Sequence, residues 1–159
     1  MKKKTTLELI ATSDHVSLYS ISFEMDGTTE FERFVMHFER DSVYHRDYQR
    51  IVAALQVILQ KGALERFFRP EGNLKDNVQA LPVESGKLRL FCLRLSNEIL
   101  IIGNGGVKTT RTYEESPLLC GYVLDLQKFE ALLKEAFASG HVKIEERILL
   151  GTEDKVFEI

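Results

Sequence analysis

"KLRLFCLRLSNEILIIGN", residues 87–104, reads as two strands joined by a tight turn. Side chains alternate sides along a strand, so Leu88, Leu90, Cys92 and Arg94 share one face of the first. Arg89, Phe91, Leu93 and Leu95 share the other. Ser96-Asn97-Glu98 makes the hairpin turn, and "ILIIGN" (99–104) is apolar on both faces, the pattern of a strand at the centre of a sheet. The next residues, "GGVKTTRT" (105–112), leave that strand through glycines into a basic, hydroxyl-rich stretch.

Upstream, "NVQALPV" (77–83) is a short strand ended near Pro82, and "ALERFFRPEGN" (63–73) is a compact loop broken by Pro70 and Gly72. Between Asp47 and Lys61, Tyr48, Ile51, Val52, Leu55, Ile58 and Leu59 form one apolar helical stripe that Gly62 is placed to end. In "MDGTTEFERFVMHF" (25–38), Asp26-Gly27 turns the chain. Thr29 with Glu32 forms a capping box, and Phe31, Phe34, Val35 and Phe38 keep helical spacing. "HVSLYSISFEM" (15–25) alternates, with Tyr19, Ile21, Phe23 and Met25 on its more apolar side.

Downstream, residues 117–138 form a long helix, capped by Ser116, begun by Pro117 and stopped by Ser139-Gly140. "HVKIEERILLG" (141–151) is a last strand or an exposed extension. The order predicts an α+β fold: a small antiparallel, mixed-edge sheet carrying two N-terminal helices, with a long helix after the sheet. Residues 1–159 make a single domain, with a core over 16–138. Residues 1–14 are expected as a flexible or helical N-terminal extension and 140–159 as a C-terminal extension.

Apolar residues at 44% supply an ordinary globular core. Cys92 and Cys120 lie in apolar surroundings without CxxC or Cys/His spacing, which predicts buried reduced thiols. The start, "MKKKTTLELIATSD", is too polar for a signal peptide, and no apolar run approaches the roughly 20 residues of a membrane span. A cytoplasmic protein is expected. The net charge of −3 is segregated: residues 61–113 carry 9 basic and 5 acidic side chains, whereas 114–159 carry 5 and 10. A polyanion would meet the basic middle of the chain first.

The segment "GNLKDNVQALPVESGKLRLFCLRLSNEILIIGNGGVKTTRTYEESP" (72–117) resembles the sheet region of RelE/HigB-type toxins of bacterial toxin–antitoxin pairs. That family runs from a short strand through an Arg-bearing strand, a brief turn and an apolar strand to a Lys-rich stretch entering a helix. Here "LRLFCLR", "ILIIGN" and "VKTTRTYEESP" stand in those places. The preceding strand, helix and helix follow the same order. The resemblance implies a RelE-like fold and an mRNA endoribonuclease, ribosome-dependent and restrained by a helix-turn-helix antitoxin. The chemistry is metal-independent: the ribose 2′-OH attacks the adjacent phosphate, and protein cations offset the developing charge.

Carried over by position, Arg89 and Arg94 match the basic sheet residues and Lys108 and Arg111 the post-strand lysines; Tyr113 brings a phenol beside them. These five are the implied catalytic set. Lys87, Arg66, Arg69 and Asn104 are the implied RNA contacts. Arg89 and Arg94 have opposite parity on one strand, so at most one faces a given site. An alternative role is a non-catalytic RelE-like module that docks a protein partner or nucleic acid.

A nucleotide-binding loop is excluded by spacing, since "GNGGVKTT" is shorter than G-x-x-x-x-G-K-[ST] and meets no helix until Pro117. Its glycines are expected at a flexible or bulged strand exit with positive φ, open to an RNA backbone. His15, His37, His45 and His141 are dispersed without ligand spacing, so no metal is expected, and His37 reads as a surface residue. Phe31, Phe34, Phe38, Phe67 and Phe68 read as core.

Overall fold

A computed structural model of the chain describes residues 2–23, 27–70, 77–82 and 86–159. Met1 and residues 24–26, 71–76 and 83–85 of the segments above lie outside them. In chain order the strands and helices are β1 (Lys4–Thr12), β2 (Ser17–Ser22), α1 (Glu30–Phe38), α2 (His45–Lys61), β3 (Arg69–Pro70), β4 (Val78–Pro82), β5 (Leu88–Arg94), β6 (Ile99–Val107), α3 (Pro117–Ser139), β7 (Lys143–Glu145), β8 (Ile148–Leu150) and β9 (Phe157–Glu158). The fold is α+β. Among the described residues it has one seven-stranded mixed sheet, ordered β3-β4-β5-β6-β2-β1-β9, and a separate β7–β8 hairpin.

The sheet is larger than predicted, and it is mixed at its centre. β6 takes the middle place that its apolar run predicts, antiparallel to β5 but parallel to β2. A parallel neighbour requires a long crossover, and the two helices between β2 and β6 lie within it. Helices cover both faces. Phe34, Phe38, Ile51, Leu55 and Ile58 of α1 and α2 pack with Leu88, Leu90, Cys92, Leu100 and Ile102. On the other face Leu119, Val123, Leu126, Phe129 and Leu133 of α3 pack with Phe91, Leu93, Ile99 and Ile101. The alternation expected for β5 therefore holds, and two covered faces explain why β6 needs no polar side.

The helix ends follow the expected capping chemistry. Thr29 Oγ1 accepts from the Glu32 N–H at 3.1 Å, and Ser116 Oγ accepts from the Leu119 N–H at 3.3 Å. Gly62 (φ 97°) and Gly140 (φ 81°) end α2 and α3 in conformations that glycine adopts without Cβ strain. Helix α2 begins two residues before Asp47. The Asp47 carboxylate accepts from the Lys87 N–H at 3.0 Å, which pins the entry to β5.

Both expected extensions contribute a strand to the sheet, β1 and β9. Residues 1–14 hold β1, antiparallel to β2 on one side and to β9 on the other. Lys3 and Ile159 exchange backbone hydrogen bonds at 2.6 and 2.9 Å, so the chain ends meet. Strand β1 was masked in the sequence by weak contrast: Thr5 and Leu7 are buried, but Leu9 is 48% exposed. In the C-terminal stretch, Val142, Leu149, Phe157 and Ile159 enter the α3-side core. The Leu149 N–H donates to the buried Tyr19 hydroxyl at 2.9 Å, tying β8 to β2.

The glycines of 103–106 lie within β6 rather than beyond it, and Gly103, Gly105 and Gly106 do not have positive φ. A bulge is present: Leu90 pairs with Gly105 and Cys92 with Ile102, so Phe91 opposes both Gly103 and Asn104. The real need is space. A Cβ on Gly105 would sit 2.0 Å from the Arg89 carbonyl oxygen, and Cβ atoms on Gly103 and Gly106 would press on Leu126 and Leu119 of α3 at 3.1 Å.

Candidate functional site

Pairing of β5 with β6 decides which predicted cations meet. Arg89 lies opposite Gly106, and the Lys108 N–H donates to the Lys87 carbonyl at 2.7 Å. Lys87, Arg89 and Lys108 therefore share one end of the hairpin. Arg89 Nη1 donates to the Gly86 and Leu88 carbonyls at 2.9 and 3.0 Å, so part of this guanidinium fixes its own strand. Arg111 is exposed in the connection to α3, and Tyr113 opens a turn of 3-10 helix, half-buried against the α3-side core.

Arg94 is elsewhere. It stands five residues from Arg89, about 17 Å along the strand at ordinary rise. Its Nε donates to the Ala63 carbonyl at 2.7 Å, its Nη2 donates to Asn97 Oδ1, and Nη1 is 3.8 Å from the Glu65 carboxylate. The side chain is 14% exposed and ties the hairpin turn to the end of α2. It is a structural anchor, distant from Lys108. Arg66 is exposed with its guanidinium 5.2 Å from the Phe67 ring, and Arg69 is exposed on the edge strand β3. Arg69 lies two strands from β5, level with Phe91 through Ala80.

Asn104 occupies the bulge and points toward α1. Its Nδ2 donates to Glu30 Oε1 at 3.4 Å, while its Oδ1 accepts from the Gly105 N–H at 2.7 Å. Glu30 is 7% exposed and also lies 3.4 Å from Arg33 Nε. Burial pushes the Glu30 carboxyl above its ordinary value, against the lowering effects of Asn104 and Arg33. Tyr122 on α3 is likewise pushed up, by burial first and then by the charges of Glu30 and Asp125. Asp125 in turn holds Lys3 Nζ at 2.9 Å.

Arg33, Asn104 and Tyr122 border a cleft of about 580 Å³. Helix α1 supplies Arg33, Met36 and His37, β6 supplies Asn104 to Val107, and α3 supplies Leu118 and Tyr122. Strand β2 pairs with β6 only as far as Ile102, so the last residues of β6 run past it into this cleft. Of the implied catalytic residues and RNA contacts, Asn104 alone enters the lining. His37 reaches it from a helix face that sequence spacing marks as solvent-facing. Glu30 and Tyr122 carried no signal, because a lone acid in a capping turn and a lone Tyr on an apolar helix are ordinary.

The raised Glu30 value has a sign. A folded-state carboxyl above its unfolded value contributes stability that is complete below the unfolded value and lost as pH rises through the folded one. Glu30→Gln is expected to gain stability relative to the parent chain as pH increases from about 4 to about 7. Urea unfolding across that range checks it, and parallel pH curves would remove burial as the cause.

Among the described residues, no group of three or more His, Cys, Asp or Glu side chains could hold a metal ion. No described helix is long and apolar enough to cross a membrane. Cys92 and Cys120 are free thiols; Cys92 is buried, which pushes its thiol up, and Cys120 is half-buried. No protein-family model, curated protein or solved structure matches the chain.

Proposed function

We propose that the chain is the toxin of a toxin–antitoxin pair: a metal-independent, ribosome-dependent mRNA endoribonuclease of RelE/HigB type, cytoplasmic and restrained by a helix-turn-helix antitoxin. The observation that carries this reading is the convergence of Lys87, Arg89 and Lys108 at one end of the β5–β6 hairpin, beside the strip that bears Arg111 and Tyr113. The strand–helix–helix–strands–helix order from β2 to α3 supports the same reading. For cleavage, cations at this end would offset charge on the phosphoryl oxygens while the 2′-hydroxyl loses its proton to water and its oxygen bonds to phosphorus. The bond from phosphorus to the 5′-oxygen breaks, and that oxygen takes a proton from water, leaving a 2′,3′-cyclic phosphate and a 5′-hydroxyl.

Expression of the chain alone should arrest growth and cut mRNA within codons. Lys108→Ala and Arg111→Ala should each slow cleavage by about 100-fold, the scale of losing one group that stabilises the transition state. Arg94→Ala should lower the melting temperature without that loss per folded molecule. Full cleavage by the Lys108, Arg111 and Arg89 variants would overturn the site. The non-catalytic module is the second reading, and the engagement of Arg89 and Arg94 with backbone carbonyls favours it. Absence of cleavage and arrest, with a neighbour-encoded protein bound tightly, would select it.

A further inference from the structure

We infer that the cleft between α1, the bulged end of β6 and the start of α3 seats one nucleotide of a single-stranded RNA. Its phosphate would lie on Arg33, His37 and Asn104, and its base against Met36 and Leu118. This inference rests on the RNA-cleaving reading and extends it to α1 and α3, which the family resemblance does not assign.

The site is built, not merely open. Glu30 is a buried carboxylate that is bonded to both Asn104 and Arg33, the two side chains best suited to an anionic oxygen. It acts as a positioning residue: it orders a guanidinium and an amide before any ligand arrives, which reduces the entropy lost on binding. The bulge supplies the rest of the arrangement, because it turns Asn104 toward α1. His37, one turn beyond Arg33, adds ring nitrogens on the same wall.

Chemistry on the page favours RNA over other occupants. Gly105 and Gly106 line the cleft without side chains, so a sugar–phosphate backbone can approach the strand closely. Met36 and Leu118 are 73% and 60% exposed at the same cleft, an apolar surface of the kind that a base face covers. Lys108 follows the lining residue Val107 directly, so the adjoining surface continues positive toward the proposed cleavage end. The cleft volume of about 580 Å³ falls within the roughly 300–1,000 Å³ of ordinary small-ligand sites.

The test is fluorescence anisotropy with a 2′-O-methyl single-stranded RNA of about eight nucleotides, which binds but lacks the attacking hydroxyl. The intact chain should bind it, with affinity falling as salt rises. Arg33→Ala and Asn104→Ala should each weaken binding about 10-fold, or about 1.4 kcal/mol. Met36→Glu changes an exposed side chain, so it leaves folding intact, and it should weaken binding at least as much. Lys61→Ala, at the far end of α2, should not change it.

Unchanged affinity in Arg33→Ala and Met36→Glu, with mRNA cleavage retained by the parent chain, would overturn the cleft assignment and leave the endoribonuclease reading standing. A parent chain that neither binds this RNA nor cleaves mRNA would overturn both.

Discussion

Gly105→Ala is expected to disrupt the centre of the sheet and leave little folded protein. The added Cβ would fall 2.0 Å from the Arg89 carbonyl oxygen and 2.9 Å from the Leu90 Cα, both backbone atoms of the neighbouring strand. A flexible side chain could rotate away, but paired backbone cannot without breaking the β5–β6 ladder. Overpacking a core by a methylene costs about 1–3 kcal/mol; this clash belongs at or above the top of that range. Against a total stability of about 5–15 kcal/mol, that is enough to shift a large fraction of molecules to the unfolded state.

Gly121→Ala is the matched control. A Cβ there, within α3, meets nothing within 4 Å, and alanine should stabilise the helix by about 0.5–1 kcal/mol. Chemical denaturation of both variants measures the contrast. Equal stability of the two would mean that the β6 bulge is not where the pairing places it.

Phe129→Ala should cost about 3–5 kcal/mol, the usual range for emptying a fully buried aromatic site. Phe129 is 0% exposed on the sheet-facing side of α3, and its ring meets that of Phe157 edge-on with centroids 4.8 Å apart. The substitution would loosen α3 and also β9, which pairs with β1 at one edge of the sheet. Amide exchange should therefore rise at residues 4–5 and 157–158 together with α3. Exchange confined to α3 would show that the C-terminal strand holds without this contact.

This coupling is one that local pattern did not convey. Helices α1, α2 and α3 were legible because each has a wide apolar stripe with a recognisable cap at one end or both: Thr29, Gly62, Ser116 and Gly140 carry their own signals. Strands β5 and β6 were legible for a similar reason, as alternation and an unbroken apolar run have few other interpretations. Strand β1 failed the same test. It is next to the sheet edge, its faces are unevenly covered, and Glu8 sits beside Leu7 and Leu9. Strand β9 has only two residues, too few for any period to show.

The predicted site divided on the same principle. Lys87, Arg89 and Lys108 could be grouped from the hairpin alone, since a two-strand register is nearly local information. The contacts of Arg94 were not legible, because residue type carries no record of partners. Its role comes from the Ala63 carbonyl, 31 positions away in the chain, and from Glu65. Glu30 and Asn104, 74 positions apart, were invisible as a pair for the same reason.

By itself, then, the amino-acid order determined the α+β class, the capped helices, the central place of 99–102 and the basic hairpin end, because each depends on neighbours within a few turns or one tight hairpin. Tertiary structure alone decided that β2 lies parallel to β6, that the two chain ends pair at one edge of the sheet, and that a buried Glu30 sets Arg33 and Asn104 at one cleft. Those features arise from packing between distant segments, and packing energy depends on surfaces that no short stretch contains.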